Sequence, residues 1–367
     1  MNYRKFLPLL FFCFSYLITS AQVAPKYSNE FLTLGIGGRG LAMSNTMVSL
    51  ANDVTSAYWN PAGLVRMVKP YQLSAMHAEY FAGMAKYDYI GAGYKIDNKQ
   101  AVAFSWLRFG VDNIMNTTEL IDKQGNLDYN RITYFSAADN AFLLSYAYNF
   151  EQIKGLSIGA NAKIIHRKIG KFANAWGFGF DAGVQYHIKG WQMGAIMKDV
   201  TSTFNAWSYH LTDKVIEIFE ETGNEIPENS LELTIPRLNF GGGKYVELGK
   251  GFNATFALDF DCTFDGKRHA LIKSNPLSVD PHFGMEFSYK TIVAFRAGIG
   301  NFQKVHFLDD KNKVNCQINF GIGVGIKDIV FIDYAFTNLG DLSFAFHSHI
   351  FSIKVAIESF KRKDNKD

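Results

Sequence analysis

The chain has 367 residues, of which 48 % are hydrophobic and 15 % aromatic, and its formal net charge is only +3. Lysine and arginine are scattered along the sequence, which excludes the basic surface expected of a nucleic-acid-binding protein. Beyond the N-terminal apolar run, no stretch approaches the roughly 20 apolar residues of a membrane helix, so the hydrophobic side chains must be buried in another way.

The first 21 residues have the layout of a secretory signal peptide. Arg4 and Lys5 precede the apolar run Phe6–Ile18, and Thr19-Ser20-Ala21 places small residues three positions and one position before a cut at Gln22. We therefore predict that residues 1–21 are a signal peptide and that the protein is exported from the cytoplasm of a Gram-negative cell.

Residues 22–70 lack the alternating pattern of strands. Gly35–Gly40 fits the G-x-G-x-x-G fingerprint of dinucleotide sites, but such a site also needs parallel βαβ crossovers and an acidic residue about 20 positions further on. The chain lacks those crossovers, so we interpret the glycines as positions of close backbone approach. Together with a compact turn at Asn60-Pro61-Ala62-Gly63, they indicate a folded plug, or hatch, that threads a narrow space.

From residue 71 to 357 the sequence has the pattern of about fourteen short strands joined by links that are alternately short and long. The short links are Asp97–Lys99, Glu151–Gly155, Lys189, Leu248–Gly251, Lys290–Thr291 and Lys327–Asp328. The long links include Val111–Asp139, Thr201–Leu233, Thr263–Val279 and Asn301–Lys313. Outer-membrane barrels have tight periplasmic turns and long external loops, whereas a soluble sandwich has no reason to sort its loops by parity. The sequence therefore predicts an all-β fold, a transmembrane antiparallel β-barrel in the outer membrane.

Strict alternation marks which face of each predicted strand meets the lipid. In Phe252–Cys262 the apolar side chains occupy every second position, while Asn253, Thr255, Asp259 and Asp261 share the other face. Gly177–Ile188 and Val314–Ile326 repeat the pattern. In a barrel the apolar face meets lipid and the other face points into the lumen.

The same rule predicts nine charged side chains in the lumen. They are Lys163, Arg167, Asp181, Arg237, Asp259, Asp261, Glu286, Arg296 and Asp333. Because unpaired charges in a confined space are costly, we expect them to pair across the lumen or to contact the N-terminal segment. We favour a role of these charges in packing a plugged barrel over a role in an ion path.

One long link contains a predicted helix. In Thr212–Glu221 the apolar side chains lie on or near one face and acidic side chains lie opposite, and turn signals follow at Gly223-Asn224 and Ile226-Pro227. An external amphipathic helix of this kind can cap the barrel or bind a partner. Capping is the simpler role and the one that we favour.

No catalytic, cofactor-binding or metal-binding constellation is predicted. Alternation places Ser348 on the strand face opposite His347 and His349, so these residues do not form a nucleophile and base. Cys262 and Cys316 remain after signal removal, and two separate thiols are favoured over a disulfide in an oxidising compartment. We therefore predict a protein that is not an enzyme and that needs no cofactor.

Two stretches of the N-terminal segment carry a family resemblance. Gly37–Ser44 and Ala51–Leu64 resemble the N-terminal signature of the PorV/PorQ family of Bacteroidetes outer-membrane proteins, which is similar to the FadL long-chain fatty-acid transporters. The motif residues are Gly37, Gly40, Asp53, Trp59, Asn60, Pro61, Ala62 and Gly63. The resemblance implies a fourteen-stranded barrel with an N-terminal hatch. The charged tail at residues 358–367 departs from it, because the chain does not end on an aromatic residue that closes the last strand.

Two functions follow from this resemblance. The first is a partner-binding component of type IX protein secretion or surface export, which would contact secreted cargo or translocon subunits as well as outer-membrane lipid. The alternative is a FadL-like channel for uptake of hydrophobic small molecules. The lumen should discriminate between them, because a channel for such molecules needs a continuous apolar pocket that reaches the hatch, whereas the alternation supplies charges. The sequence therefore favours the partner-binding function.

Overall fold

The computed structural model of the protein describes residues 28–121, 125–266, 268, 270–306, 312–338 and 347–358. The predicted signal peptide, and the predicted tail after residue 358, lie outside these ranges. These described residues form seventeen strands. They are β1 (Tyr71–Tyr80), β2 (Ala85–Lys95), β3 (Gln100–Asn116), β4 (Thr133–Asn149), β5 (Leu156–Ile169), β6 (Ala173–Ile188), β7 (Trp191–Lys198), β8 (Thr203–Tyr209), β9 (Ser230–Thr234), β10 (Arg237–Gly249), β11 (Phe252–Thr263), β12 (Ile272–Lys273), β13 (Ser278–Tyr289), β14 (Val293–His306), β15 (Asn312–Ile326), β16 (Val330–Asn338) and β17 (His347–Ile357).

Fourteen of these strands form a closed antiparallel barrel, which confirms the predicted fold class. Each wall strand pairs with its neighbours in chain order, β7 pairs with β10, and β11 pairs with β13. The barrel closes because β1 pairs with both β2 and β17. The three remaining strands, β8, β9 and β12, belong to the links on the long-link side.

The predicted alternation of short and long links is observed at the tight turns. Residues 189–190, 250–251 and 327–329 connect wall strands on one side of the barrel, and Lys189, Lys250 and Lys327 have positive φ there. On the other side, the links at 117–132 and 199–236 are long, although those at 81–84 and 170–172 are short. The link 199–236 contains an additional hairpin of β8 and β9 together with helix α3 (Asp213–Glu221), where the sequence predicted a helix.

Two predicted long links are partly strand in the structure. Strand β3 continues to Asn116 and β14 to His306, beyond the points where the sequence pattern ends at Val111 and Asn301. A bulge shifts the register between Val111 and Ile114, and another between Gly300 and Gln303. A bulge inserts an extra residue and so exchanges the lipid-facing and lumen-facing positions. The strand beyond it therefore no longer matches the alternating sequence pattern.

The outer face of the wall is a belt of exposed apolar side chains. Leu144 is 65 % exposed, Phe295 59 % and Phe351 58 %, although all three lie within regular strands. Such a surface is unfavourable in water and is typical of strands that face lipid. Among the described residues, no helix has the length and apolar character needed to span a membrane.

Residues 28–70, which we call the hatch, fill the lumen with short helical turns. These are helices α1 (Gly38–Ala42) and α2 (Ser56–Trp59) and 3-10 turns at Glu30–Thr33 and Pro61–Arg66. Ile36, Met43 and Leu64 are completely buried, although no helix here exceeds six residues. Helices this short are unstable by themselves, so the hatch owes its conformation to packing against the wall.

Glycines of the wall allow the hatch backbone to lie directly against the strands. A Cβ atom on Gly194 of β7 would lie 2.5 Å from the carbonyl oxygen of Val48, and one on Gly284 of β13 would lie 2.7 Å from that of Met43. The other wall glycines that face hatch atoms at close range are Gly93, Gly159, Gly183, Gly243, Gly298 and Gly321. Their missing side chains create the room in which the hatch fits.

Candidate functional site

A network of charged side chains connects the hatch to strands β13–β17. Arg39 of α1 donates two hydrogen bonds of 3.0 Å, from Nε and Nη2, to the carboxylate of Glu286 on β13. Arg296 on β14 stands directly opposite Glu286 in the strand register and donates from Nε at 2.6 Å. This carboxylate therefore lies between two guanidinium groups, and the bidentate geometry of Arg39 orients α1 against the wall.

The network continues across β15 because that strand has a glycine at the crossing point. Nη1 of Arg296 lies 2.6 Å from Oδ1 of Asp333 on β16, and Gly323 of β15 pairs with Asp333. A Cβ atom on Gly323 would lie 2.6 Å from Nη1 of Arg296. Glycine at this position is therefore needed for the ion pair between the two flanking strands.

A second ion pair fixes the hatch to the last strand. Nζ of Lys354 on β17 lies 2.6 Å from Oδ2 of Asp53, and the hydroxyl of Thr55 donates to Oδ1 at 2.6 Å. Burial by itself raises the pKa of Asp53, but the charge of Lys354 and the hydrogen bonds from Lys354 and Thr55 outweigh it and hold this pKa well below its usual range. We call the six side chains Arg39, Asp53, Glu286, Arg296, Asp333 and Lys354 the latch.

The predicted turn at Asn60-Pro61-Ala62-Gly63 anchors the hatch on the opposite wall. Nδ2 of Asn60 lies 2.9 Å from the carbonyl oxygen of Val48, 3.0 Å from that of Val184 and 3.3 Å from that of Ala195. Its Oδ1 accepts from the backbone N–H of Ala62 and caps the 3-10 turn that follows. One completely buried amide therefore joins two parts of the hatch to strands β6 and β7.

The remaining motif residues pack within the hatch or against the wall. The N–H of Gly37 donates to Sδ of Met76 on β1, and Trp59 is buried edge-to-face against Tyr58 with ring centroids 4.9 Å apart. A Cβ atom on Gly40 would lie 2.6 Å from the Trp59 ring, and one on Gly63 would lie 2.8 Å from Oγ of Ser56. These glycines therefore have a steric role, and the sheet formed by the described residues contains no βαβ crossover for the dinucleotide fingerprint.

All nine predicted lumen charges have polar contacts in the structure. Lys163 lies between Asp181 at 2.8 Å and Asp199 at 2.5 Å, and Arg167 contacts Asp139 at 2.9 Å. Arg237 contacts Glu30 of the hatch at 2.6 Å. Oδ2 of Asp259 accepts from the N–H of Val48, and Asp261 accepts from Asn239. The contacts of Arg237 and Asp259, like those of the latch, join the wall to the hatch.

Two cavities lie on opposite sides of α1. The inner cavity, of about 470 Å³, is lined by latch residues and by the tight-turn residues Lys290, Thr291 and Asp328. The outer cavity, of about 610 Å³, lies on the long-link side and is lined mainly by polar side chains. Arg39 faces the inner cavity, whereas Leu41 and Ser44 face the outer one, so this part of the hatch separates them.

The expectations for the two thiols and for Ser348 are met more simply. Cys262 and Cys316 are free thiols, as favoured from the sequence. Ser348 is buried, whereas His349 is exposed and lies 2.7 Å from the Tyr334 hydroxyl, in keeping with opposite faces. In the described part of the chain, no group of three or more His, Cys, Asp or Glu side chains is arranged to hold a metal ion.

The fold has clear counterparts among solved structures, although no protein-family model and no curated protein matches the sequence. The toluene transporter TodX of Pseudomonas putida has 12 % identity and a TM-score of 0.55, over 91 % of this chain and 98 % of that one. The toluene transporter TbuX of Ralstonia pickettii has 13 % identity and a TM-score of 0.54, over 88 % and 98 %. A FadL homologue of Pseudomonas aeruginosa has 11 % identity and a TM-score of 0.50, over 87 % and 97 %. This chain therefore has the fold of FadL-like outer-membrane channels.

Proposed function

We propose that the protein is an outer-membrane channel for small molecules and that the hatch is its gate. The observation that carries the proposal is the division of the lumen, in which α1 separates an outer from an inner cavity. The motif residues and the lumen charges hold the hatch in its closed position. In this proposal, residues 1–21 direct export, the segment 22–70 contains the gate, residues 71–357 form the wall and residues 358–367 form the tail.

The comparisons favour this channel function over the secretion function that the sequence favoured. Two of the neighbouring structures are named as toluene transporters, so hydrophobic small molecules are the first ligand class to test. The cavities of this chain contain charged and amide side chains. Charges in the lumen were the reason why the sequence disfavoured an apolar pathway. The transport experiment should therefore include a polar solute beside the hydrophobic one.

The test is uptake by intact cells of the organism that encodes the protein. Deleting the gene should reduce entry of labelled toluene or of a labelled small polar solute, and complementation should restore it. Equal uptake of both solutes by deleted and wild-type cells would contradict the channel.

The gate can be tested separately in the same cells. Ser44 of the hatch accepts a 2.7 Å hydrogen bond from Asn319 of β15. With Cys262 and Cys316 replaced by serine, a short bifunctional thiol cross-linker between Ser44→Cys and Asn319→Cys should stop uptake. The reagent should have no effect on Ser44→Cys alone. Normal uptake through the cross-linked protein would mean that this part of the hatch does not move.

A second candidate function is partner binding in type IX secretion or surface export, as the PorV/PorQ resemblance implies. The observation in its favour is the external hairpin of β8 and β9, whose helix α3 has no fully buried residue. Its test is the amount of exported protein at the cell surface after deletion of the gene. A loss that is restored by the whole protein, but not by a variant lacking residues 212–222, would support this function. Unchanged surface proteins would contradict it.

A further inference from the structure

A row of carboxamide side chains descends the wall of the outer cavity to the hatch. Nε2 of Gln303 donates to Oδ1 of Asn301 at 3.0 Å, and Nδ2 of Asn301 lies 3.5 Å from Oε1 of Gln317. Nε2 of Gln317 donates to Oδ1 of Asn319 at 3.1 Å, and Nδ2 of Asn319 donates to Oγ of Ser44 at 2.7 Å. Each amide N–H therefore faces the next group along the row, and the last of these groups is Ser44 of the hatch. We call these four amides the amide row.

The bulge in β14 brings two members of the row, Asn301 and Gln303, to the cavity. Strand β14 is out of register between Gly300 and Gln303, and Asn301 has a φ of 51° there. Gly300 pairs with Gln317, and Gln303 pairs with the next lumen-facing position of β15. The extra residue allows both Asn301 and Gln303 to line the same cavity. A regular strand would place residues 301 and 303 together on the lipid-facing side, so the bulge directs both amides inward.

The amide row keeps hydrogen-bonding capacity toward the cavity. A carboxamide has two N–H donors and two acceptor lone pairs. The contacts recorded among the described residues use one N–H and one lone pair of Asn301, of Gln317 and of Asn319. The amides can therefore offer paired donors and acceptors to a bound molecule.

The charged side chains of the same cavity are engaged with one another. Arg237 contacts Glu30 at 2.6 Å, and Nε2 of His282 lies 3.6 Å from both Asp261 and Asp280. A ligand with a net charge would have to compete with these contacts. A neutral ligand whose hydroxyl groups both donate and accept matches the amide row without disturbing them.

We propose that the outer cavity is a binding site for a neutral polyhydroxylated solute, such as a short oligosaccharide, and that the amide row recognises its hydroxyl groups. This site rests on the proposed channel function and adds to it the class of ligand. A hydrocarbon cannot satisfy these amides when it displaces water from them, so the site selects against the toluene-like ligands after which the structural neighbours are named.

The experiment measures maltotriose binding to the complete barrel in mild detergent, by calorimetry and saturation-transfer NMR, with toluene as the hydrocarbon probe. Wild-type protein should bind maltotriose, and the double variant Gln303→Leu/Gln317→Leu should bind it about tenfold more weakly or less. Asn319 is left unchanged because it holds Ser44. Gln192→Leu on the short-turn side is the matched control and should bind normally. Heat-dependent gel mobility checks that each barrel is folded.

The outcomes separate this site from the channel function. Undiminished maltotriose binding by the double variant, or none by the wild-type protein, would overturn the site. Binding of toluene alone would also overturn it but would leave the channel proposal intact, because uptake by cells tests that proposal independently.

Discussion

Lys354 of the last strand and Asp53 of the hatch form an ion pair, with Nζ and Oδ2 2.6 Å apart. The two residues are 301 positions apart in the sequence. Strand β17, which carries Lys354, also closes the barrel by pairing with β1. The pair therefore joins the hatch to the seam of the barrel, and the hatch cannot make this contact until the last strand is in place.

The first prediction concerns Lys354→Met. Removing the ammonium leaves a buried carboxylate without its cation, which should destabilise the closed hatch by about 3 kcal/mol. Hydrogen exchange of hatch amides in the detergent-solubilised barrel measures the effect. Lys290→Met is the control, since Lys290 lines the same cavity and lies over the Tyr289 ring. Equal exchange in Lys354→Met and wild type would show that the pair does not hold the hatch.

The same pair predicts a dependence on pH. The pKa of Asp53 in the folded protein lies below its ordinary value of 3.8, so the folded state binds this proton more weakly than the unfolded state. The contribution to stability is complete above that ordinary value and is lost as the pH falls through the lower folded value. The protection factors of hatch amides, which are corrected for the slower intrinsic exchange at low pH, should therefore fall in acid, and by less in Asp53→Asn. The same acid response in both proteins would refute this assignment.

The third prediction concerns the close approach of the hatch to wall glycines. In Gly194→Ala the new methyl group would lie 2.5 Å from the carbonyl oxygen of Val48, so the hatch or β7 must shift. We expect a loss of about 2 kcal/mol in unfolding free energy. Gly242→Ala is the matched control on the neighbouring strand β10, because its methyl group would meet only Gln192 at 3.5 Å. Equal stability of the two variants would contradict the steric role of Gly194.

The wall could be predicted from the sequence because alternation is a local property. A residue such as Arg296 or Glu286 faces the lumen because of the pleat alone, and tight turns at Lys189 and Lys327 have short-range signals. The alternation fails at the bulges beside Val111 and Gly300, where the extra residue changes its phase. Strand ends beyond a bulge were therefore predicted as loop.

The partners of the lumen charges could not be predicted in the same way. No sequence motif marks Lys354 or Asp199. Lys354 contacts Asp53 and Asp199 contacts Lys163 only because the barrel register and the path of the hatch bring them together. For Arg39 the sequence does contain a signal. This residue lies between the hatch glycines, where a long cationic side chain can reach the wall. The amide row depends on a bulge and on two neighbouring strands, so it becomes apparent only in three dimensions.

The fourth prediction is an interaction energy within the latch. In a double-mutant cycle of Arg39→Met and Glu286→Gln, the coupling should be about 2 kcal/mol, because the bidentate pair is largely shielded from solvent. The comparison pair is Lys86 and Asp112, 3.5 Å apart with both side chains well exposed, whose coupling should stay below about 1 kcal/mol. Thermal unfolding of the four variants of each cycle supplies the values. Similar couplings for the two pairs would mean that the latch contributes no more than an ordinary surface contact.

The final prediction concerns Asn60→Asp, which changes one buried atom of the hatch anchor. The amide Nδ2 faces the carbonyl oxygens of Val48, Val184 and Ala195, and none of these can donate to a carboxylate. An acceptor placed there loses the hydrogen bonds and repels all three oxygens, so we expect a loss of about 3 kcal/mol and faster proteolysis of the hatch. Asn98→Asp, in an exposed tight turn, should change stability by less than about 0.5 kcal/mol. Because a carboxylate regains donor ability when protonated, the Asn60→Asp defect should shrink in acid, whereas a defect caused by altered packing alone would persist.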